Sequence, residues 1–260
     1  METSLHEMGE PTLRLDRTPN HDSYRQVREN VTELLLGSHV NPTVPACPEW
    51  TVRDLLAHLV GVAALAIGRM SGWPATQPTS SAGMGLPELL ESWRTLGAEA
   101  DLLLASQPER SGTILVMDAF THELDIRYAI GAELPDEHPA FAGAFEVLAT
   151  GFAASVSAHH LPPVRLSTGP TQWTVGGGDP AATLTADRYD LYRSLAGRRT
   201  REQITALDWD RDSHRWLPAF TWGPFTPPGS AIEPHASDPV DPPVPPAPRA
   251  EIRHWPRPQP

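Results

Sequence analysis

Three side chains in this 260-residue chain have the types and spacing that suit work on a divalent cation. His58 lies inside a long apolar run, and Asp118 and His122 stand four residues apart. On a helix that interval puts both on one face. Imidazole nitrogen and carboxylate oxygen together suit zinc or a similar ion, and three protein ligands leave one position open for water or substrate. Plainer readings stand beside this one. An acid four residues before a histidine is a common exposed pair, and a histidine in an apolar helix is commonly a core residue with a satisfied ring. Asp125, one turn beyond His122, reads as a hydrogen-bond acceptor rather than a ligand. Cys47, flanked by prolines, reads as an inert thiol because no neighbour in sequence lowers its pKa. Trp50 and Trp73 read as core or loop anchors, and the pair His159 and His160 as a solvated hinge.

The positioning elements follow from periodicity. Tyr24, Val27, Val31, Leu34 and Leu35 recur at helical spacing. The segment 41–48 contains three prolines, which exclude a helix and predict a rigid connector. Thr51 stands where an N-cap belongs, with Asp54 three residues later in the acid position of a near-capping box, and opens a helix running to about Gly68. A Pro/Ser/Gly-rich loop at 74–85 precedes a helix with Leu86, Leu89, Leu90, Trp93, Leu96, Ala100 and Leu103 on one face. A fourth helix, about 112–129, ends before Gly131, and a fifth covers 140–158. Four of these five suffice for a bundle. After residue 160 the texture changes to short strands at 164–169, 172–175 and 181–184 and a helix at 187–195, which predicts a small α+β domain. The expected organisation is a flexible lead-in at 1–20, a helical bundle at 21–160, the α+β domain at 161–225 and a disordered tail at 226–260. Roughly one residue in three is proline in that tail, too few apolar groups to bury.

Composition excludes other chemistries. All 20 Lys/Arg positions are arginine, so a lysine Schiff base or a lysine-closed phosphate loop is impossible. One cysteine excludes an intrachain disulfide and a multi-cysteine zinc knuckle. A formal charge of -12 disfavours nucleic acid. The N-terminus lacks a signal-peptide layout, and the longest apolar run, 55–68, is short for a membrane span. These readings place the protein in the cytoplasm without membrane or nucleic-acid partners.

Three motifs, Val44-Pro-Ala-Cys-Pro-Glu-Trp-Thr-Val-Arg-Asp-Leu-Leu-Ala-His58, Asp118-Ala-Phe-Thr-His122-Glu-Leu-Asp125 and Leu195-Ala-Gly-Arg198, resemble in order and spacing the mycothiol-dependent maleylpyruvate isomerase family. The resemblance runs from about Tyr24 to Phe225. It implies a DinB-like four-helix bundle, a sterol-carrier-like C-terminal domain and a divalent metal, usually zinc, held by His58, Asp118 and His122. The family's isomerase carries Glu where this chain has Asp118, one methylene shorter. Arg198 matches the arginine of the second domain that reaches the active site, with Arg199 beside it as an alternative. Exclusive use of arginine with abundant Ala, Pro and Gly also fits a GC-rich actinobacterial genome, and mycothiol belongs to such bacteria.

The function implied is a metal-dependent, mycothiol-dependent isomerase or S-transferase acting on a small electrophile. Arg198 would pair with a substrate or thiol carboxylate through bidentate hydrogen bonds. Two other classes use the same frame: a hydrolase with metal-activated water, distinguished by turnover without thiol, and a non-catalytic metal-binding or sensor protein.

Overall fold

The computed structural model describes residues 17–36, 40–72, 81, 83–107, 112–169 and 171–234. Its helical part comprises α1 (Asn20–Leu35), α2 (Val52–Ser71), α3 (Leu86–Ser106), α4 (Thr113–Ile130) and α5 (Ala140–Ala158). Helix α1 buries Tyr24, Val27, Val31 and Leu35, the stripe expected from its spacing. Arg17 holds the approach to α1 by bonding Glu146 and Thr113, so the lead-in is anchored before residue 20. Residues 1–16 of that expected segment lie outside the described residues.

The proline-rich connector is a hairpin: β1 (Thr43–Val44) pairs antiparallel with β2 (Cys47–Thr51). Prolines here sit at the turn and on a two-stranded ribbon, where a missing N–H is tolerated. Thr51 ends β2 and caps α2 through the anticipated box: Asp54 accepts from the Thr51 backbone N–H at 3.1 Å, and Thr51 Oγ1 accepts from the Asp54 N–H at 3.3 Å. Helices α1 and α2 each pack against both α3 and α4, and α5 packs on α4 and α1. Arg28 crosses α3 at Gly97, where a Cβ would lie 2.2 Å from its guanidinium. By length and apolarity α2 and α5 are each long enough to cross a bilayer; in this fold Leu55, Leu56, Leu59, Phe145, Leu148 and Phe152 from them are core residues.

The second part is a four-stranded sheet in the order β4-β3-β5-β6, where β3 is Val164–Ser167, β4 Gln172–Val175, β5 Ala182–Thr185 and β6 Asp208–Trp209. Strand β3 pairs antiparallel with β4 and parallel with β5; β5 and β6 are antiparallel. Helices α6 (Arg188–Leu195) and α7 (Arg201–Ala206) and two 3-10 turns, Ser213–Arg215 and Leu217–Phe220, complete it. Strand β4 packs on α5, where Trp173 meets Phe145 with ring centroids 4.3 Å apart. The buried apolar residues of both parts form one continuous cluster.

The tail expected to begin at Thr226 does not begin there. Glu233 is 4% exposed and its carboxylate bonds Arg193 and Arg199. Composition misses this because one buried ion-pairing side chain is enough to fasten an apolar-poor segment. Residues 235–260 lie outside the described residues.

Candidate metal centre

His58 projects from the second turn of α2, and Asp118 and His122 from one face of α4. Their donor atoms all lie within 4.8 Å of one another, the only such His/Cys/Asp/Glu group among the described residues. His58 Nε2 is 3.6 Å from one Asp118 oxygen, and His122 Nε2 is 3.7 Å from the other. The two rings meet edge to face at 5.0 Å. These are separations for donors arranged around a shared centre, too long for direct hydrogen bonds.

Two atoms test whether a cation fits. His58 Nε2 and Asp118 Oδ2 are buried and have no hydrogen-bond partner. Buried polar atoms are ordinarily satisfied, and a lone pair and a carboxylate oxygen aimed at one point are satisfied together by a cation. The donor set, nitrogen with oxygen, suits zinc or a related ion.

Behind His122 stands Asp125, fully buried, with Oδ2 2.8 Å from His122 Nδ1. Burial works against the Asp125 charge, but the Arg198 and Arg193 guanidinium groups and His122 outweigh it and hold the carboxyl well below the usual carboxylate range. An ionised Asp125 only accepts, so His122 Nδ1 donates and the Nε2 lone pair faces Asp118. The second part of the chain supplies the cations: Arg193 Nη2 bonds Asp125 Oδ1 at 2.5 Å, and Arg198 bonds both oxygens, at 3.4 and 2.9 Å. Arg193 itself is fully buried, held also by Glu233 and the Thr121 carbonyl. Arg199 is buried among Asp190, Glu233 and Tyr128.

Arg198 therefore stands one residue away from the donor cluster, bridged by Asp125, whereas Arg199 is committed to the interior. Asp125 is the acceptor anticipated from its spacing. Arg193 and Glu233 had no comparable signal: neither sits in a recognisable motif, and their role depends on tertiary placement. Trp50, expected as a core or loop anchor, is 36% exposed and lies over the His58 ring at 5.2 Å. The half-buried Cys47 lies outside the donor group, and burial raises its thiol pKa, aided by the Asp125 charge. His159 closes α5, its Nδ1 2.9 Å from the Ser155 carbonyl, and His160 follows with φ 54°. Trp73 lies outside the described residues.

Fold and site together define a helical domain that converges histidine and carboxylate donors from two helices and is backed by arginines of a following α+β part. Residues 22–127 match the family described as mycothiol maleylpyruvate isomerase N-terminal domain. The matched segment contains Trp50, His58, Asp118, His122 and Asp125. No curated protein and no solved structure matches the chain.

Proposed function

We propose that the protein is a metal-dependent enzyme that uses a small thiol, mycothiol, on an electrophilic small molecule. The observation that carries this reading is the pair of orphaned buried donors, His58 Nε2 and Asp118 Oδ2, converging with His122 inside a domain of the mycothiol family. Within the same reading α1 to α4 form a DinB-like four-helix bundle and the β3–β6 part a sterol-carrier-like domain.

His58, Asp118 and His122 would hold a divalent ion, zinc by donor type. When bound there, such an ion lowers the pKa of a coordinating thiol, so that the nucleophile is thiolate at neutral pH. Asp125 keeps His122 in the tautomer that presents Nε2, and Arg198 keeps Asp125 in place. Arg198 spends Nε and one Nη on Asp125 and the other Nη on the Ala196 carbonyl. A guanidinium has five N–H groups, so two remain, and these are assigned to a carboxylate of an anionic substrate. Trp50 walls the His58 side with a flat apolar face suited to a planar unsaturated molecule.

With a cis-enedioic substrate, the thiolate sulfur adds to one alkene carbon and the electron pair moves into the conjugated carbonyl. The former double bond, now single, rotates. Return of the electron pair expels the thiolate and leaves the trans isomer, with no atom gained or lost. With a substrate carrying a leaving group, that group departs with the electron pair and the sulfur stays attached.

Metal analysis of purified protein and of His58→Ala tests the site, and thiol-dependent loss of maleylpyruvate-type electrophiles tests the chemistry. About one ion per chain, lost in His58→Ala with the fold kept, is expected. Full metal content in His58→Ala, or turnover indifferent to added thiol, overturns the respective part.

A further inference from the structure

The ion pairs behind the donor cluster do not end within the family-matched segment. Arg193, Arg198 and Arg199 face Asp125, Asp190 and Glu233, and five of these six side chains are within 2% of complete burial. Three cations against three carboxylates is a closed balance, and Glu233 supplies one third of the negative side. It is also the member farthest along the chain, 40 residues from Arg193. Its segment is led in by a close passage: Gly197, with φ 69°, lies where a Cβ would come 2.8 Å from the Thr226 nitrogen. It is then fastened by Gln203, whose Nε2 donates to the Glu233 carbonyl at 2.9 Å.

Arg193 is shared. One guanidinium nitrogen contacts both the Asp125 and the Glu233 carboxylate, and Nε also reaches Glu233. Glu233 thus decides how much of Arg193 is drawn toward Asp125, whose other oxygen orients His122. We infer that Glu233 is a positioning residue for the donor cluster: the strap at 226–234 sets the His122 ring through Arg193 and Asp125. Neutralising Glu233 leaves an uncompensated buried guanidinium that shifts onto Asp125 and displaces the carboxylate from its His122 contact. The inference rests on the proposed metal site and adds a third segment of the chain to it.

Cobalt(II) affinity, measured on the full chain by competition with a chromophoric chelator, is the test. Outer-shell partners of metal ligands typically control affinity by about ten- to a hundredfold, and Glu233→Gln, two steps beyond such a partner, is expected at the low end, about tenfold weaker, with an altered visible cobalt spectrum. Asp190→Asn removes a carboxylate from the same network on the side away from Asp125, so it is the matched control: lower thermal stability, with affinity within about twofold of wild type. If Glu233→Gln does not fold, Glu233→Asp, which keeps the charge but is shorter, is expected to weaken cobalt by about threefold or more. Loss of stability with wild-type cobalt affinity and spectrum in the Glu233 variants, or equal weakening in Asp190→Asn, overturns the inference. Absence of cobalt binding in the wild type would instead overturn the metal site itself.

Discussion

Replacing Asp125 with asparagine removes one charge and almost no volume from a buried carboxylate that three side chains share. Its two oxygens carry Arg193 at 2.5 Å, Arg198 at 2.9 Å and His122 at 2.8 Å, all without solvent access to the carboxylate. Breaking a buried ion pair by deleting one partner costs about 3–5 kcal/mol, because the remaining charge is left uncompensated. For a chain of this size that corresponds to a melting temperature lower by roughly 10 °C, at about 2–4 °C per kcal/mol. Unlike aspartate, the asparagine amide offers both donor and acceptor groups, so His122 is no longer confined to the tautomer with Nε2 free. Cobalt affinity is therefore expected to fall about 10–100-fold. Urea unfolding of metal-free protein reads the first effect, and chelator competition reads the second. A stability loss under about 1 kcal/mol would refute the buried-charge argument. Full loss of stability with unchanged cobalt affinity would refute the link from Asp125 to His122.

Arg198→Ala, which also takes a guanidinium from Asp125, is expected to bind metal more weakly without losing it and, at saturating metal, to slow turnover of a carboxylate-bearing substrate about tenfold or more, the equivalent of one charge-assisted hydrogen bond of about 1.5–3 kcal/mol; steady-state kinetics beside Arg199→Ala, whose defect should be in stability, checks the assignment. Thr51→Ala breaks the capping box at the start of α2 and should cost about 1 kcal/mol in urea unfolding. Burial raises the pKa of Tyr24, Tyr128, Tyr189 and Tyr192. Because their folded pKa values lie above the unfolded value of about 10, the stability they contribute is complete below that pH and is lost as pH rises through the folded values. Absorbance at 295 nm should show phenolate appearing only together with alkaline unfolding; free titration of these four near pH 10 in folded protein would contradict it.

The helices were legible wherever one face is wet. Tyr24, Val27 and Val31 on α1, and Leu89, Trp93 and Ala100 on α3, repeat at helical spacing because the opposite faces are polar. Helix α4 gives no such contrast: from Ala119 to Ile126 it is buried throughout, including Thr121, His122, Glu123 and Asp125. Its polar residues are explained by partners inside the fold, many of them far away in sequence. Glu123, for example, meets Asn30, Arg127 and His138. The donor trio was visible as residue types, and its convergence required α2 and α4 to be packed face to face. Helix α7 and strand β6 escaped notice because both are too short for a period to register. The hairpin at 43–51 was hidden by its prolines.

Helix α4 runs from Thr113 to Ile130, and the family match stops at residue 127, before α5 and before every arginine that faces Asp125 from the second part. An excised fragment ending at that limit would expose the Phe120 ring of α4 that Phe141 and Tyr192 cover and leave Asp125 without its two guanidinium partners. The unit that sequence similarity delimits is thus smaller than the continuously packed unit. Any exchange of parts between relatives must carry the stretch to Glu233 along with the donors it steadies.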